Sequence, residues 1–310
     1  MGPCKLWPLV AGALMTLGCF STPTPLAPNV SGSVGVPHHG VQTGATELPK
    51  SGPGFVRYRP HSRNYWGRPH LVTAVQDSAR RVAELLPGGS PLVVGDLSAR
   101  LGGKIPGHNS HRTGRDVDLL WYVTTPKGAP LANPGFINVD TDGLAPVHET
   151  GDYVRLDVER QWLLVKELMR SPHIDVQWMF CSRSVEALLI DYARARGEDL
   201  ELIWHAQTVL LQPGDSLPHD DHIHLRVACT QEEAVNGCLG GGPYWNWLPP
   251  LPSVGPLGHD FLEQLGRQFP VNLATSDGSD RLSTHVEGDH PARGLFGATL
   301  QPERLWLTRL

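Results

Sequence analysis

Two histidine-rich stretches contain most of the residues in this sequence that could do chemistry. The first reads GHNSHRTGRDVD, from Gly107 to Asp118, and the second reads PHDDHIH, from Pro218 to His224. Imidazoles and carboxylates are the usual ligands of a catalytic zinc ion, which takes three protein ligands and leaves a fourth position open for water. The two stretches together therefore suggest one metal site.

The spacing within each stretch narrows the candidates. His111 and Asp118 would supply two ligands, because the turn between them lets both side chains point at one spot. Asp116 and Asp118 lie two residues apart, hence on the same face of a strand, so spacing alone does not choose between them. His222 and His224 would also face one cleft, roughly 7 Å apart. One of these two could bind a metal while the other reaches its water.

Each stretch taken alone also has a structural interpretation. A His–Asp pair in a glycine loop is usually a hydrogen-bonded turn, and an isolated His-x-His is usually a satisfied surface strand. Both stretches together, each followed by a hydrophobic strand, favour a site. Cysteine or serine catalysis has no support, since Cys181 lacks an activating motif and the sequence contains no Gly-x-Ser-x-Gly.

The elements that would position these residues predict an α+β fold. Apolar residues recur at helical spacing in RPHLVTAVQDSARRVAELLPGG, DVERQWLLVKELMRS, SVEALLIDYARAR and LELIWHAQTVLLQ, the last being a helix or a helix and turn. Short apolar or alternating runs predict strands in PLVVGDL, VDLLWYV, IDVQWMFCS and HIHLRVAC. We expect a small, mostly antiparallel sheet with helices packed around it.

The N-terminal residues predict export. One lysine precedes an apolar run from Leu6 to Leu17, which is typical of a signal peptide over residues 1–20 and too short for a resident membrane helix. Leu17-Gly18-Cys19 is also like the end of a bacterial lipobox, in which Cys19 would be lipidated and tether the protein to a membrane. The alternative is plain signal cleavage. With a formal net charge of -5 and scattered basic residues, nucleic acid is not an expected partner.

Composition divides the remaining chain into three parts. Residues 21–53 are rich in Pro, Gly, Ser and Thr and predict a flexible tether. Residues 54–240 contain the predicted elements, and residues 241–310 form a Gly/Pro linker and a C-terminal segment without an assigned role. Cys229 and Cys238 are close enough in sequence to close a small disulfide loop in an exported chain, which leaves Cys181 single and buried in a strand.

The combined pattern resembles a known family. His111-x6-Asp118, followed far downstream by His222-x-His224, resembles the zinc signature of the lysostaphin-type, D-Ala-D-Ala and hedgehog-like metallopeptidases. Within this group, GHNSHRTGRDVDL and PHDDHIHLRVAC are similar to the penicillin-insensitive murein endopeptidase family, as are RNYWGRPHLVTAVQ and PLVVGDLSARLGGK. The resemblance extends from about Gly54 to Cys238.

This resemblance implies roles for six residues. The Zn²⁺ ligands would be His111, Asp118 and His224, in a cleft on the sheet. His222 would be the general base, and His219 an additional catalytic histidine that holds the oxyanion if it is protonated. His108 would be either an extra ligand or a group behind the ligands.

The implied function is that of a periplasmic zinc metalloendopeptidase. It would cut the D-alanyl to meso-diaminopimelyl cross-links of bacterial peptidoglycan. One alternative is a D,D-carboxypeptidase or dipeptidase of the same metal group, which would trim stem peptides instead. Another is a non-catalytic peptidoglycan-binding protein whose zinc is structural. A third alternative, a histidine-rich metal buffer, is disfavoured because it would need no fixed spacing between distant segments.

Overall fold

A computed structural model describes residues 31–148, 150–214, 216–240 and 242–250. The predicted signal peptide with Cys19, the first part of the predicted tether and the C-terminal segment after residue 250 lie outside the described residues. Among the helices of the described part, none is long and apolar enough to cross a membrane.

A seven-stranded sheet lies at the centre of the fold, in the order β14-β13-β15-β8-β7-β5-β4. In chain order the strands are β1 (Gly32–Val36), β2 (His39–Thr43), β3 (Thr46–Glu47), β4 (Ser51–Gly52), β5 (Phe55–Arg57), β6 (Trp66–Gly67), β7 (Leu92–Val94), β8 (Asp116–Leu120), β9 (Val123–Thr124), β10 (Pro130–Leu131), β11 (Leu144–Val147), β12 (Asp152–Leu156), β13 (Val176–Phe180), β14 (Leu210–Leu211) and β15 (His222–Val227). Within the central sheet, the β5–β7 and β13–β14 pairs are parallel and the other pairs are antiparallel.

Five helices accompany the sheets in the described part. They are α1 (Pro69–Leu85), α2 (Val158–Met169), α3 (Arg183–Ala195), α4 (Leu200–Val209) and α5 (Gln231–Val235). Side chains of Asp157, Ser182 and Asp199 cap the N-termini of α2, α3 and α4, which satisfies backbone N–H groups that would otherwise lack partners. The α+β prediction and its four long helices are confirmed, and the fourth helix ends where the short edge strand β14 begins.

The apolar faces of these elements meet in one core. Helix α1 buries Leu71, Val75 and Ala79 along the stripe that the sequence predicts. Helices α1, α2, α3 and α4 pack against one another in chain order. The core lies between these helices and the central sheet, where Val117, Leu119, Ile223 and Leu225 are fully buried. These residues alternate along β8 and β15 with the polar residues of the candidate site.

The structure differs from the sequence prediction before Gly54. The described part of the predicted tether forms β1 to β4 and packs against the domain. Leu48 is fully buried, and the buried amide of Gln42 donates to the carbonyls of Ala99 and Trp66. Composition misled here because the glycines serve turns: Gly35 and Gly44 have φ values of 81° and 62°, which glycine adopts without strain.

The two ends of the domain meet. The amide of Gly35 donates to the carbonyl of Gly237, and the amide of Leu239 donates back to the carbonyl of Gly35. Cys229 and Cys238 form the expected disulfide nearby, while Cys181 is free and buried. The start of the predicted linker also packs on the domain, since Leu248 is buried and the indole of Trp245 donates to the carbonyl of Gln177.

Candidate metal centre

Two central strands carry the core of the candidate site. Strands β8 and β15 are antiparallel, and Asp118 lies directly opposite His224. Because side chains alternate along a strand, Asp116 and Asp118 share one face of the sheet with His222 and His224. The helices cover the buried Val117 and Leu225 on the opposite face, so the polar residues face away from the core.

The glycine-rich loop before β8 brings His111 to the same face. His111 is completely buried, and its φ of 61° is the only positive φ of a non-glycine residue in the described part. Its backbone N–H donates to Oδ2 of Asp116 at 3.2 Å, and its ring Nδ1 contacts the carbonyl of Leu97. The left-handed backbone conformation costs energy in a non-glycine residue and persists only where the surrounding structure fixes it, commonly at functional sites.

Three imidazole nitrogens surround one carboxylate oxygen. Oδ1 of Asp118 lies 3.2 Å from Nε2 of His111, 3.3 Å from Nε2 of His222 and 3.3 Å from Nδ1 of His224. Nevertheless, Oδ1 of Asp118 and Nε2 of His111 are buried without a hydrogen-bond partner in the described part. The nitrogens approach the oxygen without the alignment of hydrogen bonds, as ligands do when they point at a common centre.

This donor set fits a zinc ion. Nitrogen and oxygen ligands about 2.0 to 2.1 Å from a tetrahedral zinc lie ~3.3 Å from one another, which matches the separations around Asp118. The side chains of His111 and His224 are 0% and 8% exposed, whereas that of His222 is 15% exposed. The open side of the centre, where a water could enter, is therefore the side of His222.

Each of the three rings is held at its other nitrogen. Nε2 of His224 lies 2.9 Å from Oδ1 of Asp116, which also accepts from Nε of Arg226 at 2.6 Å. Nδ1 of His222 contacts Oδ1 of Asp221. Such partners fix the orientation and tautomer of metal-ligating histidines. The structure thus separates two aspartates that spacing could not: Asp118 lies among the rings and Asp116 lies behind one of them.

The remaining two predicted histidines border the same centre. The ring of His108 lies 4.3 Å from that of His111, and its Nδ1 lies 3.7 Å from Oδ2 of Asp118. Donor atoms of His108, His111 and Asp118 lie within 4.8 Å of one another, as do those of His219, His222 and His224. All six residues singled out from the sequence therefore lie together.

The electrostatics of the centre favour a cation. Burial raises the pKa of Asp118, but the nearby imidazoles of His111 and His222 outweigh it and hold the pKa well below the usual carboxyl value. Burial lowers the pKa of His222, but Asp118 and Asp221 outweigh it and raise the pKa to about 10. The raised pKa means that His222 holds a proton beside Asp118 when no metal is bound. A bound cation would take the place of that proton as the partner of Asp118.

His219 has the opposite electrostatic environment. Burial, followed by the charges of His224 and His222, lowers the pKa of His219 to about 4. Its Nδ1 is buried without a hydrogen-bond partner among the described residues. His219 is therefore neutral near pH 7, in contrast to the protonated form considered from the sequence, and a neutral ring still carries one N–H donor.

Two further residues at the centre are absent from the sequence predictions. Oδ2 of Asp96 lies 3.3 Å from Nε2 of His108, and the ring of Phe136 stands edge-on 5.3 Å from that of His222. Asp96 had a signal, since it lies near the end of the predicted strand PLVVGDL and the ends of strands often carry site residues. Phe136 lies in an irregular segment whose sequence gives no indication of this position.

Comparison with known proteins identifies the same family that the sequence motifs resemble. A sequence model of the penicillin-insensitive murein endopeptidase family matches residues 33–240, which is more than half of the chain and begins well before Gly54. A protein of that name from Klebsiella pneumoniae subsp. pneumoniae is 38% identical over 89 residues, covering 28% of this chain and 32% of that protein. One from Escherichia coli O1:K1 is 34% identical over 122 residues, covering 37% of this chain and 43% of that protein.

The aligned stretches span less than half the length of these curated relatives. The family match itself covers every strand of the central sheet and every residue of the candidate centre. This chain belongs to the penicillin-insensitive murein endopeptidase family.

Proposed function

We propose that this protein is an exported zinc metallopeptidase that hydrolyses D-alanyl to meso-diaminopimelyl cross-links in peptidoglycan. The observation that carries the proposal is the approach of the His111, His222 and His224 rings to one buried oxygen of Asp118 without hydrogen-bond alignment. Family membership supports the substrate class, because the relatives are named for a murein endopeptidase activity.

His111, Asp118 and His224 would hold the ion. A bound Zn²⁺ would supply Lewis-acid chemistry, polarising the scissile carbonyl and lowering the pKa of a water from 15.7 to about 7. The tautomer of each histidine suits this role, because Leu97 and Asp116 engage the ring nitrogens that face away from Asp118. Two histidines and one carboxylate with an open side are a donor set of catalytic zinc sites.

His222 would be the general base. Asp221 engages its Nδ1, which leaves Nε2 directed at the centre, and its side chain is the most exposed of the three rings around Asp118. Nε2 would take a proton from the attacking water and pass it to the leaving amine. The neutral ring of His219 would donate one N–H to the oxyanion that develops on the scissile carbonyl.

The proposal includes export, which rests on the leader-like residues 1–20. Lipidation at Cys19 and plain signal cleavage give different products. Expression of the full chain with radiolabelled palmitate would label the wild type, but not Cys19→Ala, if Cys19 is lipidated. An unlabelled wild type recovered from the periplasmic fraction would mean plain cleavage, and retention of both forms in the cytoplasm would contradict export.

The activity is tested with cross-linked muropeptide dimers. We expect the purified protein to convert dimers into monomers, a chelator to abolish the conversion, and His222→Ala to lose turnover while retaining one zinc per chain. His38→Ala is a matched control, because His38 is exposed in the β1–β2 turn. Products are resolved by chromatography and mass spectrometry.

Other products would replace the proposal with one of its alternatives. Release of free D-alanine with intact cross-links would identify a carboxypeptidase. If both the cross-linked dimers and the stem peptides stay intact while each chain binds one zinc, the metal would be structural.

A further inference from the structure

A run of aromatic rings leads away from the candidate metal centre. Phe180 begins it, with its ring 5.5 Å from that of His224 and 5.9 Å from that of His219. The rings continue in contact, with centroid separations of 5.7, 5.0, 5.1 and 5.6 Å. We call this run the aromatic stripe, in the order Phe180, Trp178, Trp245, Trp247 and Trp204.

The sheet fixes the direction in which the stripe starts. Phe180 lies opposite His224 in the β13–β15 pair, and Trp178 lies opposite Arg226. Trp178 is two residues before Phe180, so both rings project on the face of the sheet that carries the metal centre. The stripe then crosses the segment 242–250 and ends on α4, at Trp204. The stripe therefore begins beside the candidate metal centre and leads away from it.

Anchoring of the segment 242–250 explains only the middle of the stripe. The indole of Trp245 donates to the carbonyl of Gln177, and the ring of Trp247 packs 4.3 Å from that of His205. Trp204 at the far end is 56% exposed, and Leu200, one turn earlier on α4, is 80% exposed. Large apolar side chains that are exposed together often mark a binding surface.

We propose that the exposed end of the aromatic stripe, at Trp204, is a subsite for the glycan strand of peptidoglycan. This inference rests on the proposed function, since the cross-linked peptides of that substrate are carried on a chain of N-acetylated pyranose rings. A pyranose presents C–H bonds on its faces, and these carry the partial positive charge that the negative face of an indole ring attracts. A linear saccharide therefore suits a row of aromatic rings.

The charges near the exposed end favour a neutral ligand. Helix α4 begins with Asp199 at its N-cap and Glu201 in its first turn, and Trp204 follows Glu201 by three residues. These carboxylates would repel the acidic stem peptides and an anionic lipid surface. A glycan strand whose muramyl carboxyls are joined to peptides is uncharged and meets no such repulsion.

The test compares two dimeric substrates that differ only in their sugars. One is a cross-linked disaccharide-peptide dimer, and the other is the same peptide dimer with its sugars removed. We expect Trp204→Ala to lower the ratio of kcat/KM between the two roughly three- to tenfold, through KM on the sugar-bearing substrate. Tyr153→Ala is a matched control, because Tyr153 is an exposed aromatic residue of β12 outside the stripe.

A binding measurement keeps the test independent of the proposed function. Calorimetric titration of the full chain with an N-acetylglucosamine tetramer should give saturable binding, weakened about as strongly in Trp204→Ala and unchanged in Tyr153→Ala. If the wild type cleaves neither dimer but binds the tetramer in this way, the proposed function fails and the subsite stands.

Three results would overturn the subsite. The first is an unchanged kcat/KM ratio in Trp204→Ala together with no saturable tetramer binding. The second is self-association of the wild type in sedimentation that Trp204→Ala abolishes, which would make the stripe a contact between copies. The third is binding to phosphatidylcholine vesicles that Trp204→Ala abolishes, which would make it a membrane contact.

Discussion

At the scale of single residues, each of the three rings around Asp118 has a partner that orients it. Asp116 lies behind His224, Asp221 behind His222, and a backbone carbonyl behind His111. Mutation of such partners commonly costs 10- to 100-fold in metal affinity or activity, although they touch neither metal nor substrate. Two adjacent aspartates allow the loss of an orienting partner to be distinguished from the loss of any nearby carboxylate.

Asp221 and Asp220 form a matched pair for that purpose. We expect Asp221→Ala to lower kcat about 10- to 100-fold with zinc content unchanged, because His222 loses the acceptor that fixes its tautomer. Asp220→Ala removes a carboxylate that accepts instead from the Asn138 side chain, so its effect on kcat should be much smaller. Steady-state kinetics with metal analysis checks both variants. Equal losses in the two would contradict an orienting role for Asp221.

At the scale of elements, strand periodicity accounts for most of what the sequence predicted. Residues two apart on a strand share a face, so the pairing of His222 with His224 and of Asp116 with Asp118 follows from local sequence. The choice of Asp118 over Asp116 depends on the register that places Asp118 opposite His224, which no local pattern contains. Phe136 could not be predicted because an irregular segment carries it to His222.

The predicted tether fails for a related reason. Its polar composition suggested solvent, but Gln42 finds its partners in backbone carbonyls far along the chain, and Leu48 fills the core. We expect Leu48→Ala to lower the free energy of unfolding by about 2–5 kcal/mol, the cost of truncating a buried leucine. Leu101→Ala, at a 70% exposed position, is the control and should change it little. Urea titration measures the free energy of unfolding of both variants. Equal values for the two would support the flexible tether that the sequence predicted.

Titration of His205, on helix α4, should make the free energy of unfolding depend on pH. Burial holds the pKa of His205 below the ordinary 6.5, and its Nε2 has no hydrogen-bond partner in the described part. The unfolded chain therefore binds a proton before the folded protein does, so this contribution is complete above pH 6.5 and is lost as the pH falls through the folded-state pKa. The free energy of unfolding of His205→Leu should fall less steeply than that of wild type between about pH 7.5 and 5.5. Parallel pH profiles in chemical denaturation would refute this.

At the scale of the whole molecule, a metal would join parts of the chain that are far apart in sequence. His111 belongs to a loop, Asp118 to β8 and His224 to β15, so an ion bound by all three would stabilise the folded state by mass action. At about 100 times the dissociation constant this amounts to ~2.7 kcal/mol. We expect chelation to lower the Tm by roughly 5–10 °C for a domain of this size.

His111→Ala provides the control for that measurement. Without this ligand, the Tm in excess zinc should already be low and should respond little to chelator, as followed by calorimetry. A wild-type Tm that is insensitive to chelator would mean that no ion bridges these elements.

The contact of Gly35 with Gly237 and Leu239 bears on when the domain can complete its fold. A chain is synthesised from its N-terminus, so the β1–β2 hairpin is made long before Gly237 and Leu239, the residues that bond to Gly35. Joining residues so distant is entropically costly and slow compared with local folding. In a nascent chain that ends before Gly237, the hairpin therefore lacks its contacts with the C-terminal end of the domain. The domain would thus complete its fold only after nearly all of its residues have been synthesised.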